Sequence, residues 1–174
     1  MPTPDLQPTL TGERVILRPV APADWEGMFV AASDPMIWEQ HPESERFKEA
    51  VFRNYFDGAL ASGSALTIVD KASARIIGSS RYWGYDDKAG EIEIGWTFLA
   101  REFWGGLYNA EIKKLMLEHA LTFAEVVVFW IGAENRRSRR ATEKIGGVLR
   151  DGTYYRGEGK TDPHVVYEFR ANNH

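Results

Sequence analysis

Glu93-Ile94-Gly95-Trp96-Thr97-Phe98, then Arg101-Glu102-Phe103-Trp104-Gly105-Gly106, then a run that can enter a helix near Asn109, is the stretch that decides how this chain folds. The first block reads as an extended segment, the glycine pair as a sharp turn, and the sequel as an amphipathic helix. That order leaves backbone N–H groups and the positive end of a helix dipole facing whatever lies beyond the turn, a setting that suits a phosphate-bearing ligand. The glycines would equally serve a tight turn with positive φ and nothing more. About thirty residues later, Asn135-Arg136-Arg137-Ser138-Arg139-Arg140 gives a second helix start, crowded with cations. Cations there oppose the helix dipole, by a few tenths of a kcal/mol each when exposed. An anion nearby would reverse the sign, and a solvated polar face is the plainer explanation. Two such starts point to a ligand with several phosphates.

On the N-terminal side of this stretch the hydrophobic period is two. Ala65 to Val69, Arg75 to Trp83 and Glu91 to Phe98 read as successive strands, with turn-rich connections that predict antiparallel hairpins. Before them lie a strand over Arg14 to Arg18, a helix entered at Pro22 with Trp25, Met28, Phe29 and Ala32 at helical spacing, and a short piece from Met36 to Gln40. A longer helix is expected from about Glu45 to Ala61, burying Phe47, Val51, Phe52, Tyr55 and Leu60. Residues 1–11 read as a loose arm. Downstream, a helix over Asn109 to Phe123 carries Ile112, Leu115, Met116, Ala120 and Phe123 on one stripe. A buried-type strand (Glu125 to Ile131), a short helix (Arg136 to Ile145) and two closing strands (near Val148 to Arg156 and Val165 to Arg170) follow. This is a mixed α/β order with one layer of sheet. It does not alternate strictly, which disfavours a doubly wound sheet or a TIM barrel.

At 174 residues one domain is expected, and 44% hydrophobic with 26% charged residues is ordinary for a globular protein. The 13% of aromatic residues suit packed core layers or an apolar tunnel. A net charge of −4 and a pI near 5.6 argue against nucleic-acid binding as the main task. With no cysteine, disulfides, Cys-ligated zinc and a cysteine nucleophile are excluded. The opening Met-Pro-Thr-Pro-Asp-Leu lacks the regions of a secretion signal and no apolar run is of membrane-spanning length, so the expected setting is cytoplasmic, without membrane or nucleic-acid partners. The four histidines are not clustered, so no metal is expected.

At these residues the chain resembles the GNAT superfamily of acetyl-CoA-dependent N-acetyltransferases, in particular its RimJ/RimL-like branch, which acetylates ribosomal proteins. Four features carry the resemblance over nearly the whole chain. They are the opening Leu10-Thr11-Gly12-Glu13-Arg14-Val15-Ile16-Leu17-Arg18-Pro19, Glu93-Ile94-Gly95-Trp96, the Trp104-Gly105 turn into a helix with Glu111, and Asn135-x-x-Ser138 before Lys144-x-Gly146. The match has departures. The family's glycine turn is spaced differently: Arg101 falls one residue early, Leu107 stands where a Gly or Ala is usual, and the glycines are adjacent. The tyrosine that many relatives carry after Asn135 is replaced by the Ala141-Thr142 region, and Ser138 matches the alternative of the RimL-like branch.

The resemblance implies a twisted mixed sheet of about six to seven strands, splayed after the Glu93 strand to form an acetyl-CoA cleft and flanked by about four helices. N–H groups of Gly105, Gly106, Leu107, Tyr108 and Asn109 would meet pyrophosphate, with Arg101 nearby. Backbone at Thr97, Phe98 and Leu99 would meet the pantetheine arm and the acetyl oxygen, and Arg139 or Arg140 a phosphate. Asn135 either caps its helix or also orients the arm and Ser138. Acetyl transfer to an amine needs a proton acceptor, and an unperturbed lysine-like amine has a pKa near ~10. Glu93 is the first choice of base, direct or through water. Glu91, on the same strand face, would raise its proton affinity, unless both simply line a solvated face. Ser138 is the candidate proton donor to the CoA sulfur, or else a backbone cap. Trp38 and His41 fall in an acceptor-side loop, where His41 binds acceptor, replaces Glu93 as base, or is structural. His119 reads as packed. The implied co-substrate is acetyl-CoA, and the acceptor a protein N-terminus or a small amine such as an amino acid, polyamine or drug. A homodimer is compatible with this branch, though no sequence signal encodes one. The rival reading is a non-catalytic acyl-CoA-binding regulatory module; an RNA-contacting role for the arginines conflicts with the net charge.

Overall fold

The computed structural model of the chain describes residues 3–171. Nine strands join in one sheet: β1 (Leu10–Thr11), β2 (Val15–Pro19), β3 (Ala65–Asp70), β4 (Ile76–Asp86), β5 (Glu91–Leu99), β6 (Val126–Gly132), β7 (Val148–Leu149), β8 (Tyr154–Arg156) and β9 (Asp162–Arg170). Their order is β1-β2-β3-β4-β5-β6-β9-β7, with β8 also paired to β9. Every pairing is antiparallel except β5 with β6. A parallel pair needs a crossover, and the helix α4 (Leu107–Ala120) supplies it. The other helices are α1 (Trp25–Ala32), α2 (Pro35–Trp38), α3 (Glu49–Ser62) and α5 (Arg136–Lys144). Among the described residues no helix is long and apolar enough to cross a membrane.

The mixed α/β architecture expected from the sequence is therefore present, with more strands and one more helix than anticipated. Two short segments explain the extra strands. Leu10–Thr11 pairs with β2, so this part of the chain is not a loose arm. It is pinned further by Gln7, whose amide donates to the Ala65 carbonyl at 3.1 Å, and by a ring nitrogen of His119, 2.7 Å from the Asp5 carbonyl oxygen. Met1 and Pro2 lie outside the described residues. The expected closing strand from Val148 to Arg156 splits into β7 and β8 at a bend over 151–153. The long helix begins at Glu49 rather than Glu45, because residues up to Lys48 run as turns and Lys48 is extended. Its buried face is Phe52, Tyr55, Phe56 and Ala59, while Phe47 packs from the loop before it.

Packing of α4 on the sheet fixes where its first turn lies. Ile112, Met116 and Ala120 are buried against Ile92, Ile94, Val127 and Phe129 of the two parallel strands. Tyr82 adds a hydroxyl donated to the Met116 carbonyl at 2.7 Å. Glu111 ties the same helix to the start of β2, its carboxylate accepting the N–H groups of Arg14 and Val15 at 2.8 and 2.9 Å and the Arg14 guanidinium at 3.2 Å. Gly12 is required there, since a Cβ would sit 2.5 Å from a Glu111 oxygen. Replacing Glu111 by Ala leaves two part-buried N–H groups without an acceptor. A loss of about 1–3 kcal/mol per orphaned group is expected, read as a lower urea midpoint with unchanged slope.

Candidate active site

β5 and β6 share three paired positions, Glu91 with Val126, Ile92 with Val127 and Glu93 with Val128, and then part. Each keeps its other neighbour: β6 pairs with β9 as far as Gly132, and β5 with β4 as far as Leu99. The β4–β5 register jumps between Arg81–Gly95 and Ser79–Phe98, a bulge in which Trp96 takes φ +51°. A left-handed tryptophan is strained and persists only when its surroundings hold it. Here the Tyr55 hydroxyl donates to the Trp96 carbonyl, the Ser80 and Thr97 hydroxyls share a 2.8 Å bond, and the Trp104 indole donates to the Leu99 carbonyl at 2.7 Å. The parted strands enclose a cleft of about 1290 Å³. One wall is residues 94–99 of β5; the other is residues 129–132 of β6 with the exposed turns of α5.

The start of α4 opens into this cleft. Gly105 (φ +81°) and Gly106 have open space where a side chain would stand, and both line the cleft with Asn109 and Ala110. Among the described residues no acceptor within the protein takes the N–H groups of residues 105 to 109, and no side chain caps the helix. Leu107 is exposed to solvent, Tyr108 turns to Asp70, donating its hydroxyl at 2.8 Å, and Arg101 pairs with Asp34 at 2.8 Å, so the side chains of these three residues do not line the cleft.

The second helix start differs from expectation because it is closed from within. Asn135 caps α5 through its side-chain oxygen, which accepts the Ser138 N–H at 3.3 Å, and Gln40 accepts the Arg137 N–H at 3.3 Å. Its cations spread around the helix. Arg136 and Arg140 line the cleft, as do Asn135 and Ser138. Arg137 stacks over Trp104 at 3.8 Å and donates to the Ile37 carbonyl. Arg139 turns away, donating to the Tyr167 hydroxyl at 3.2 Å and the Ala133 carbonyl at 3.0 Å.

Glu93 is buried rather than solvated and Glu91 is half-buried, and both are held by arginines. Arg150 donates to Glu91 at 2.7 Å and to Glu168 at 2.5 Å. Arg156 of β8 grips both oxygens of Glu93, one at 2.9 Å. Glu93 is 6% exposed and stands directly behind the cleft wall: a Cβ on the cleft-lining Gly95 would lie 2.9 Å from its Oε2. Burial raises the Glu93 carboxyl above its ordinary value, Arg156 pulls it down, and Glu91 adds the smallest upward push. The balance is upward, so proximity of the two acids matters less than the sequence suggests.

Trp38 and His41 both line the cleft, ring to ring at 5.6 Å. The Nδ1 of His41 accepts the Glu43 N–H at 2.9 Å. Burial first, then the charges of Arg46, His164 and Arg137, press its pKa down to about 3. A residue not singled out from the sequence also lines the cleft. Lys113 of α4 is 8% exposed, its ammonium 3.2 Å from the Thr97 hydroxyl and 4.7 Å from the centre of the Phe129 ring, and burial lowers its pKa to about 8. Its signal was a lysine one helical turn from both Asn109 and Leu117, beside the apolar stripe.

A family model described as Acetyltransferase (GNAT) domain matches residues 14–148. No curated protein matches the chain. Among solved structures, a GCN5-related N-acetyltransferase from Brucella melitensis superposes with a TM-score of 0.84 at 20% identity, over 96% of this chain and 80% of that one. An acetyltransferase from Agrobacterium tumefaciens does so at 0.70 and 26% identity, over 94% of each chain. A spermidine N-acetyltransferase from Vibrio cholerae, solved with CoA and spermine, gives 0.71 at 12% identity, over 93% of this chain and 98% of that one. By the match over residues 14–148, the chain belongs to the GNAT acetyltransferase family.

Proposed function

We propose that the chain is an acetyl-CoA-dependent N-acetyltransferase, moving an acetyl group to a primary amine by direct attack in a ternary complex. The observation that carries this reading is the run of unpartnered N–H groups at residues 105 to 109, which opens into a cleft ending where β5 and β6 part beside Glu93. Open backbone amides at a helix start suit a pyrophosphate, and Arg136 and Arg140 on the facing wall suit further phosphate charge. Beyond Glu93 the β5 edge has no strand partner on the cleft side, which leaves backbone groups of residues 94–99 to bond the amide groups of a pantetheine arm. The chain has no cysteine, in keeping with attack by the amine itself.

Within this reading Glu93 accepts the proton of the attacking nitrogen, directly or by a water beside Gly95, and its raised proton affinity suits it to that task. Arg156 holds the carboxylate in place. His41 is a poor rival: with one nitrogen committed to Glu43 and a pKa near 3, it drives proton removal weakly. It shapes the acceptor side with Trp38. Ser138 stands on the α5 wall as a polar group toward the arm. The acceptor is a protein N-terminus, as the RimJ/RimL-like pattern suggests, or a small amine. Arg46 and Arg81 lie over Tyr55, at 5.1 and 5.6 Å, and over Trp38 and Trp96 of the cleft, with neither in a salt bridge among the described residues. That positive surround disfavours a polyamine.

Thiol release from acetyl-CoA, screened across amines and N-terminal peptides, tests the reading. Turnover is expected with singly charged amines ahead of spermidine. Tight CoA binding without release for any acceptor would support a binding module instead. Glu93→Gln is expected to lower kcat by about 100-fold or more while leaving acetyl-CoA affinity nearly unchanged; equal turnover at every pH removes Glu93 from the mechanism. Arg156→Met makes a separate prediction. It strands a buried carboxylate, and a stability loss of about 3–5 kcal/mol is expected by urea unfolding. Glu93 must be ionised to accept a proton, so activity falls as pH drops through its pKa. Removing Arg156 takes away the influence holding that pKa down, so the acid limb of the pH–rate profile moves to higher pH.

A further inference from the structure

Lys113 reaches the apex at which the two parallel strands separate. Thr97, 3.2 Å from its ammonium, belongs to the β5 wall, and Phe129, whose ring it overlies, is the first β6 residue past the last strand pair. Among the described residues it is in no salt bridge, and burial is the one influence on its pKa. A buried ammonium without a counter-ion is unfavourable, and an apolar side chain of the same length would pack on Phe129 without that penalty. The carboxylates of the adjoining strand β5, Glu91 and Glu93, are already held by arginines from the C-terminal segment. The positive charge at the apex is therefore left for something that enters the cleft. Phosphates have their own place at the start of α4, and Asn109, the last of those amides, stands four residues, about 6 Å of helix, before Lys113.

We propose that Lys113 is a catalytic residue of the acyl transfer, its ammonium placed to take up the negative charge of the departing CoA sulfur and to give it a proton. The proposal rests on the acetyl-CoA reading above. In the step, a bond forms between the acceptor nitrogen and the acetyl carbon while the carbon–sulfur bond breaks. The electron pair leaves on sulfur, which receives a proton from Nζ of Lys113, and the nitrogen proton passes to Glu93. Lys113 then recovers a proton from solvent. A thiol such as cysteine has a pKa of about 8.5, and a donor near 8 is matched to it. The Ser138 hydroxyl is a far weaker acid, so the work assigned to it from the sequence falls more naturally to the lysine.

The test is a pH titration of the thiolate ultraviolet absorbance of CoA bound to the wild-type protein and to Lys113→Met, with affinities for CoA and desulfo-CoA measured on both. In the wild type the bound thiol should titrate about one pH unit or more below free CoA, so that CoA gains affinity over desulfo-CoA as pH rises through that lowered pKa. In Lys113→Met both differences should vanish while desulfo-CoA affinity stays within about twofold and kcat falls by about 100-fold. A bound thiol with the same pKa as free CoA in the wild type overturns the proposal. So does a variant that loses desulfo-CoA as much as CoA, which would make Lys113 a phosphate or packing group. Failure of the wild type to bind either compound is a different result: it sinks the acetyl-CoA reading itself.

Discussion

The separation of two neighbouring parallel strands is the constraint on which the rest of this molecule depends. A continuous sheet satisfies its backbone groups on both edges of every inner strand. Here β5 and β6 are zipped for three positions and then each gives up one edge, while β4 and β9 hold the other. The opening is not slack. A strained Trp96 in the bulge steers β5 outward, and three hydrogen bonds from Tyr55, Ser80 and Trp104 hold that path. Helix α4 covers one face of the same two strands, so the cleft, the helix start and the buried carboxylate of Glu93 are set by one packing arrangement.

Charge is distributed unevenly around that opening. The acids of β5 are neutralised from behind by Arg150, just past β7, and Arg156, at the end of β8. Among the described residues the cation at the apex is in no salt bridge. A preorganised, buried positive group favours whatever step develops negative charge beside it, and it does so without rearrangement at the moment of reaction. On the proposed chemistry, the acids and the lysine divide the two proton movements between the two faces of the sheet: removal on the Glu93 face, delivery on the α4 face.

What was legible in the sequence follows from the range of the interactions involved. Period-two runs located β3 and β5 to within a residue and β4 to within three, because alternation is a local signature of a half-buried strand. The glycine turn and the α4 start were legible for the same reason. The start of α3 was misplaced because Phe47 continues the apolar pattern while Lys48 is extended. The partners of Glu91 and Glu93 were invisible: Arg150 and Arg156 lie 59 and 63 residues away and carry no local mark. The arginine cluster misled, since a helix turns each successive side chain by about 100°. Adjacent cations therefore serve separate ends: Arg139 turns to Tyr167, while Arg136, Arg140 and Arg137 (stacked on Trp104) line the cleft.

The departures from the usual glycine spacing bear on this last distinction. A cradle made of side chains would be destroyed by placing Leu107 where a glycine or alanine is usual. A cradle made of main-chain amides needs only that the chain pass with its N–H groups inward and its side chains outward, which Gly105 and Gly106 permit and the solvent-facing Leu107 respects. Recognition of a phosphate-bearing carrier by backbone, as proposed for this cleft, is thus tolerant of sequence. The surroundings proposed for the acceptor are built instead from side chains, Trp38 and His41 on the cleft wall, Arg46 over Trp38, and Arg81 over Trp96. Each substitution there changes shape or charge directly, so on the proposed reading selectivity for the amine is free to vary while the cleft, its helix and its buried lysine stay as they are.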